Sequence, residues 1–252
     1  MEGMEIKRLE ELAIRAARSG RTQFTRFLDP TMMDAARAAA NKAGAKVSFW
    51  GGYPDGERQV AAFWDEDEPM NEEYPFIALR LSWNAKYANP GHRDLLGATM
   101  GLGIERDMTG DIAMGEYHGA DCAYLFAMPE VADYIAANLE SAGRAPLKVQ
   151  QAEEELHLKP PEGEFMRVTV QNERMDAILA AGCRLSRSEA QKLIAAGLVK
   201  LNHGVQMKGD ARIQEGDLIS ARGYGRIKVQ EMQGETRKGR QGILLFKYGK
   251  QK

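Results

Sequence analysis

Basic side chains are concentrated in one short stretch of the C-terminal third of the sequence. This stretch contains Arg174, Arg184, Arg187, Ser188 and Lys192. Guanidinium and ammonium groups attract phosphate by charge, and a guanidinium group can also donate two parallel hydrogen bonds to it. The chemistry predicted for this stretch is therefore the binding of a polyanion, with no side chain assigned to a catalytic step.

Two short helices are predicted to position these side chains. Over residues 173–181, Met175, Ile178 and Leu179 follow the spacing of one apolar helix face. We expect this first helix to end before Gly182, because glycine is common just beyond a helix C-terminus.

The second helix is predicted to begin at Ser186. Glu189 follows three residues later, which is the pattern of a capping box, and the helix is expected to end before Gly197. Its apolar face centres near Leu193. The helix therefore has a separate polar face that is available to a ligand.

That polar face is expected to carry Ser188 and Lys192 in solvent, with Arg187 on its flank. Arg187 lies in the first helical turn, where the free backbone N–H groups favour an anion and a cation is slightly unfavourable. A phosphate bound between Arg187 and those N–H groups would remove this cost. The opposing interpretation is a set of solvated surface charges, which is the usual state of any single arginine.

Several strands with basic loops are predicted to follow. Arg222 and Arg226 flank the glycine-spaced loop 223–226, and a second basic loop spans residues 235–242. Backbone with glycine can approach a phosphate closely. Ordinary hairpin loops would have the same composition, so both interpretations remain open.

The charge of the chain is divided unevenly along its length. The net formal charge is −2, but residues 1–163 carry 17 Lys or Arg against 27 Asp or Glu, a net −10. Residues 164–252 carry 17 against 9, a net +8. This asymmetry indicates that the C-terminal part meets a polyanion, although charge also varies between domains without a functional reason.

The rest of the composition is that of a globular protein in a reducing compartment. Cys122 and Cys183 are too far apart in the sequence to suggest a disulfide framework, and no cysteine–histidine cluster has the spacing of a zinc site. No apolar run approaches 18 residues, and the N-terminus lacks an apolar signal core. We therefore expect a cytoplasmic protein without a membrane span, a metal or a cofactor.

The predicted fold class is α+β, in three blocks. Residues 1–75 form an N-terminal block with helices near 4–18 and 30–43, followed by a hairpin of residues 47–50 and 58–64. Residues 65–75 are acidic and are predicted to form an exposed loop or linker.

The middle block, residues 76–151, is predicted to be ferredoxin-like. Its strand and helix patterns follow the order β-α-β-β-α-β, which is the split βαβ arrangement also found in RNA-recognition modules. Residues 151–164 are predicted to form a linker with a short helix. Residues 164–252 form the third, basic domain.

The run of residues 174–226 resembles the RNA-binding domain named after small-subunit ribosomal protein S-four. The resemblance rests on Arg174, the Ser186–Arg187 pair and the later glycine and strand spacing, with departures at Met175 and His203. It implies that the helix pair lies on folded RNA, and that Arg174 and Arg187 contact backbone phosphates. Lys192 is implied as an adjacent contact.

Over its whole length the chain resembles the YlmH family of bacterial ribosome-associated proteins, with residues 102–112 as part of the middle block. The resemblance implies binding to ribosomal RNA and tRNA on the large ribosomal subunit that carries peptidyl-tRNA, during quality control of stalled nascent chains. It also implies a possible encounter with the factor that extends the nascent chain, and a monomer off the ribosome.

Three alternatives were weighed against RNA binding without catalysis. Arg106, Asp107, Thr109 and Gly110 faintly resemble the catalytic motif of pseudouridine synthases, but an apolar residue between Arg and Asp is missing. The structural interpretation is a turn that enters a strand, with Gly110 at the bend, and we favour it.

The second alternative, a tyrosyl-tRNA synthetase, lacks the nucleotide-binding motifs, and His92 is expected simply to begin a helix. The third is an adaptor that docks a protein, with RNA binding secondary. Trp50, Trp64 and Trp83 could form its contact surface, although aromatic residues in apolar strands are expected in the core.

Overall fold

The computed structural model describes residues 2–54, 56–67, 70, 72–236 and 239–249. The chain forms two compact units, Met1–Lys159 and Pro160–Gln251. The predicted division into three domains therefore stays a prediction, because the first two blocks pack within one unit.

The N-terminal part of the first unit is a three-stranded sheet covered by two helices. In chain order its elements are α1 (Glu2–Ser19), β1 (Gln23–Leu28), a 3-10 turn (Pro30–Met32), α2 (Met33–Ala43), β2 (Ala45–Trp50) and β3 (Gln59–Asp65). The strands are antiparallel in the order β1-β3-β2. Both helices and the β2–β3 hairpin were predicted. Strand β1 was not predicted, because its sequence QFTRFL mixes apolar and polar residues.

The middle part is a four-stranded antiparallel sheet with two helices on one face. Its elements are β4 (Ile77–Ser82), α3 (His92–Gly101), β5 (Thr109–Tyr117), β6 (Ala120–Ala127), α4 (Pro129–Asn138), β7 (Ser141–Ala142), β8 (Ala145–Pro146) and β9 (Lys148–Gln151). The strand order β5-β6-β4-β9 is the ferredoxin-like order, which confirms the predicted topology. The small β7–β8 hairpin was not predicted, because the sequence pattern of residues 129–143, from Pro129 to Gly143, favours one longer helix.

The second face of this sheet is covered by the N-terminal part. Tyr124 and Phe126 point away from α3 and α4 and are buried, at 0% and 1% exposure, in a cluster that includes Phe27. The ring of Tyr53 stacks on Phe126 with 5.6 Å between centroids. A Cβ atom on Gly110 would lie 2.6 Å from the Phe27 ring. Glycine at position 110 therefore permits this packing. The bend expected at this position lies at an irregularity of β5, whose register with β6 shifts between Thr109 and Ile112.

The second unit is a six-stranded antiparallel sheet with two helices on one face. Its elements are β10 (Gly163–Val170), α5 (Met175–Cys183), α6 (Arg187–Ala195), β11 (Val199–Leu201), β12 (Gly204–Val205), β13 (Leu218–Ala221), β14 (Gly225–Glu235) and β15 (Gln241–Tyr248). The strand order is β10-β15-β14-β13-β11-β12. Met175, Ile178 and Leu179 of α5 are fully buried against this sheet, as their spacing predicted.

Two details of this part differ from the sequence-based expectations. The segment between β9 and β10 contains no helix; Leu158 instead forms an isolated bridge with Gly115. Helix α5 does not end before Gly182 but runs through it to Cys183. A Cβ atom at position 182 would lie 2.6 Å from Ile227 Cδ1, so this glycine serves helix–sheet contact and not helix termination.

Candidate nucleic-acid interface

A buried carboxylate organises the N-terminal ends of α5 and α6. Asp176 has 0% exposure, and its Oδ2 accepts hydrogen bonds from Arg174 Nη2 at 3.1 Å and from Gln191 Nε2 at 2.8 Å. Its Oδ1 accepts from Arg187 Nη2 at 3.2 Å. The two arginine side chains remain 39% and 43% exposed, so each is held from inside while part of its guanidinium group faces outward.

Hydrogen bonds of the backbone also hold Asp176 in place. Asp176 N donates to Gly209 O at 2.9 Å, and Met175 N donates to Ala211 O at the same distance. Both N–H groups lie in the first turn of α5, where no carbonyl of the helix can accept a hydrogen bond from them. The loop before β13 supplies the acceptors instead. Asp176 is thereby held at a helix N-terminus, where a negative charge is favourable.

The ionisation of Asp176 follows from this environment. Burial would raise the pKa of its carboxyl group, but the hydrogen bonds from Arg174, Gln191 and Arg187 outweigh that effect and lower the pKa to about 2. The carboxylate is therefore charged at neutral pH, and it offsets part of the repulsion between the two guanidinium groups.

The predicted capping box of α6 is confirmed. Glu189 N donates to Ser186 Oγ at 3.2 Å, and Ser186 N donates to a carboxylate oxygen of Glu189 at 2.8 Å. The anion that balances Arg187 is Asp176 of α5. A cation in the first turn of α6 therefore does not require a bound phosphate, contrary to the expectation from the sequence.

The remaining predicted residues of the helix pair lie on the surface. Arg184 is exposed and ends α5 in the left-handed conformation, with φ of 57°. Ser188 and Lys192 are exposed on α6, as the position of its apolar face predicted. These side chains can reach a phosphate without breaking a contact that holds the fold.

Arg222 and Arg226 lie apart from the Asp176 cluster. Arg222 N donates to Leu198 O just beyond the C-terminal end of α6, and a nine-residue helix is about 13 Å long. The Arg226 guanidinium lies over the Tyr248 ring, 5.0 Å from its centroid. The seven predicted residues therefore do not form one cluster. The second basic loop, 235–242, includes Arg237 and Lys238, which lie outside the described residues.

The hairpin that contains His203, where the sequence departs from the S-four pattern, is regular. Asn202 and His203 form the two-residue turn between β11 and β12, with φ of 47° and 73°. Two positive φ values match the twist of a tight hairpin, for which asparagine is well suited. Asn202 also accepts a hydrogen bond from Leu218 N at 2.9 Å. The extra His203 therefore completes the turn.

The segment that resembled a catalytic motif is engaged in structural contacts. Arg106, Asp107 and Met108 form a 3-10 turn that enters β5, as the structural interpretation predicted. Arg26 Nη1 lies 3.2 Å from Asp107 Oδ2, and Arg106 Nη1 donates to Thr109 O at 2.7 Å. The first contact ties the β5 entry to strand β1, and the second is local to the turn.

The remaining residues considered from the sequence are His92 and the three tryptophans. His92 begins α3 after the cap residue Gly91, as expected, and burial lowers its pKa. The expectation that the tryptophans lie in the core is wrong for Trp50, which is exposed. Trp64 and Trp83 are partly buried, and Trp83 packs against the core of the middle sheet.

Other kinds of site receive no support from the residues described. No group of three or more His, Cys, Asp or Glu side chains among them is arranged to hold a metal ion. Cys122 and Cys183 are buried free thiols, and burial raises the pKa of both. No described helix has both the length and the apolar character needed to cross a membrane.

Two residues that organise this interface, Asp176 and Gln191, were not predicted from the sequence. Asp176 was overlooked as a positioning group, although an acidic residue in the first turn of a helix, between the apolar Met175 and Ile178, was a usable signal. Gln191 lies four residues after Arg187 and faces the same carboxylate. Nothing in its residue type predicted that contact.

Comparison with known proteins gives three family matches along the chain. Residues 2–66 match "YlmH, N-terminal", residues 69–155 match "Putative RNA-binding domain in YlmH", and residues 173–219 match "S4 domain". The Ribosome-associated protein quality control protein P2 of Bacillus subtilis is 33% identical over 220 residues, covering 86% of this chain and 84% of that protein.

A solved structure, the cell division protein ylmH from Streptococcus pneumoniae, aligns with 60% of this chain and 92% of its own, at a TM-score of 0.46 and 19% identity. The assignment rests on the sequence matches, because they cover both units and include a relative aligned over most of its length. The chain belongs to the YlmH family.

Proposed function

We propose that this protein binds folded RNA of the large ribosomal subunit through the helix pair α5–α6, and that it acts without catalysis in the quality control of stalled nascent chains. The observation that carries the proposal is the pair Arg174 and Arg187, fixed by buried Asp176 and half-exposed. A guanidinium group held from behind loses less conformational freedom when it binds a phosphate.

The surrounding charges support the same partner. Arg184, Ser188 and Lys192 extend the surface along α6, and Arg222 extends it past the end of that helix. A surface of this length can contact more than one phosphate group. Residues 164–252 carry a net +8, so the long-range field also favours RNA.

The middle part of the chain supports a C-terminal location for the main RNA contact. RNA-recognition modules stack bases on aromatic side chains of their exposed sheet face. Here Tyr124 and Phe126 of the corresponding face are buried under the N-terminal part. Any RNA contact made by residues 69–155 therefore uses another surface of that domain.

The name of the Bacillus subtilis relative supports the cellular role. By this likeness the partners are ribosomal RNA and tRNA on a large subunit that carries peptidyl-tRNA, with the factor that extends the nascent chain nearby. The protein acts in the cytoplasm and is a monomer off the ribosome. Arg226 lies over the Tyr248 ring, on the sheet face that α5 and α6 do not cover, so any RNA contact that it makes is separate from the helix-pair contact.

Co-sedimentation with purified large subunits, with and without peptidyl-tRNA, tests the proposal. The double variant Arg184→Glu/Lys192→Glu should bind about tenfold more weakly or worse, with a salt slope reduced by roughly two. The parent slope of log K against log salt should be roughly −3 to −5 for four to six phosphate contacts.

The matched control is Lys86→Glu/Arg144→Glu, which makes the same charge change at exposed positions of the first unit. It should bind as the parent does. Equal weakening in both double variants would mean that only total charge matters. Unchanged binding of Arg184→Glu/Lys192→Glu would remove α5–α6 as the contact surface.

A further inference from the structure

The six-stranded sheet of the second unit has an outer face that the helices do not cover. Along β15, Ile243 and Leu245 are buried against α5 and α6, so Leu244, Phe246 and Tyr248 point to the opposite face. Cross-strand partners share a face, and Phe165 of β10 lies opposite Phe246. The outer face therefore carries three aromatic rings.

These rings form a continuous row. The Phe165 and Phe246 rings are 5.0 Å apart in an edge-on arrangement, and Phe246 and Tyr248 are also 5.0 Å apart. Phe246 is only 7% exposed, because its neighbours cover it, whereas Phe165 is 66% exposed. A phenylalanine so exposed on a regular strand offers ring surface to a ligand, while a second ring contacts it edge-on.

Basic side chains flank the row on the same face. The Arg226 guanidinium lies over Tyr248, Lys228 is paired in register with Phe246, and Arg167 is exposed and paired with Leu244. Glu231 also lies on this face, opposite Leu244, where it accepts a hydrogen bond from Gln233. The charge next to the rings is therefore positive.

We propose that this outer face, with Phe165 as its exposed ring, binds an unpaired base of single-stranded RNA. Aromatic rings flanked by Arg and Lys are what single-stranded nucleic acid requires, since the bases stack and the phosphates need cations. An apolar peptide would gain nothing from Arg167, Lys228 and Arg226, and would have to desolvate them.

The site extends the proposed function, because it lies on the face of the sheet opposite α5 and α6. One unit can then hold a folded RNA segment on its helices and an unpaired segment on its sheet. The two contacts rest on different residues, so each can be lost without the other.

The test uses the full-length chain and a short oligouridine that contains one 2-aminopurine, a base whose fluorescence falls when it stacks on an aromatic ring. Phe165→Ala should abolish the quenching and weaken binding of this oligonucleotide roughly five- to hundred-fold, the worth of one stacked base. Phe165→Tyr keeps the ring and should behave as the parent. Tyr87→Ala removes a ring that is 82% exposed in the first unit and should change nothing.

A second variant separates this site from the helix surface. Arg184→Glu/Lys192→Glu should weaken binding to large subunits and leave the 2-aminopurine quenching of the short oligonucleotide in place. Quenching and affinity that are unchanged in Phe165→Ala would overturn the proposal. If Phe165→Ala keeps the quenching and the oligonucleotide affinity of the parent but binds intact subunits more weakly, Phe165 contacts protein and the proposal is overturned.

Discussion

Arg187 begins α6 and Asp176 lies in the first turn of α5, and Nη2 of Arg187 donates to Oδ1 of Asp176 at 3.2 Å. The contact joins the two helices at the end where Arg174 also binds the same carboxylate. The positions of the proposed RNA ligands and the packing of the helix pair therefore depend on one buried group.

Asp176→Asn should lower the free energy of unfolding of the second unit by about 2–3 kcal/mol, the worth of hydrogen bonds to a charged group. The amide retains the shape of the side chain but loses the charge that holds Arg174 and Arg187. RNA affinity should fall as well, because both guanidinium groups become mobile. Urea unfolding beside RNA titration measures the two effects. A fully stable variant would show that the carboxylate does not organise the helix ends.

Arg187→Glu and Lys192→Glu should differ in stability although each makes the same charge change. At position 187 the new carboxylate would lie beside buried Asp176, so we expect a loss of about 1–3 kcal/mol. The sequence alone predicts little loss of stability at position 187, because the capping pair Ser186 and Glu189 is untouched and a carboxylate suits a helix N-terminus. Lys192 is exposed on α6, and its substitution should cost less than about 1 kcal/mol. The melting temperatures of the two variants measure this difference in stability. Equal melting temperatures would contradict a structural role for Arg187.

The lowered pKa of Asp176 predicts a specific loss of stability in acid. The folded-state pKa of about 2 lies below the ordinary value of 3.8, so the carboxylate favours the folded state above about pH 4. That contribution should vanish as the pH falls from about 4 to about 2. The difference in unfolding free energy between the parent and Asp176→Asn should shrink over this interval. A difference that is the same at pH 5 and pH 2.5 would contradict the assignment.

Local patterns predicted the second unit well, and contacts distant in sequence explain what they missed. The capping box of Ser186 and Glu189 and the apolar spacing of α5 are local, and both were confirmed. The roles of Gly110 and Gly182 depend on a ring of another strand and a side chain of a distant one. The neighbouring residues in the sequence give no sign of these close contacts at either glycine.

The same distinction applies to the candidate interface. Residue type was enough to select the basic residues as candidates, because a phosphate ligand is expected to carry positive charge. The counter-charge of Arg187 comes from another helix, so it could not be inferred from position within α6. Phe165 was overlooked because an exposed aromatic residue in an edge strand has the same local pattern as a buried one.

Asp107 should have no catalytic role. Its Oδ2 lies 3.2 Å from Arg26 Nη1, in a turn that joins β5 to the N-terminal sheet. Incubation of ribosomal RNA and tRNA with the parent chain should therefore yield no new modified nucleoside, as measured by nucleoside profiling. Pseudouridine that forms with the parent and not with Asp107→Ala would establish an enzyme.

A fragment of residues 160–252 should fold alone and retain most of the RNA affinity. It corresponds to the second compact unit, and its size suffices for a single core. A start at residue 164 would be worse, because Gly163 pairs with Tyr248 and Gly249 N donates to Glu162 O at 2.8 Å. The shorter fragment should melt at a lower temperature. Residues 1–159 should bind RNA weakly, because they carry 17 Lys or Arg against 26 Asp or Glu, a net −9. RNA titrations and melting curves of the three fragments, compared with those of the full chain, test these predictions. If residues 1–159 bind RNA as tightly as the full chain does, the main RNA contact lies in the first unit.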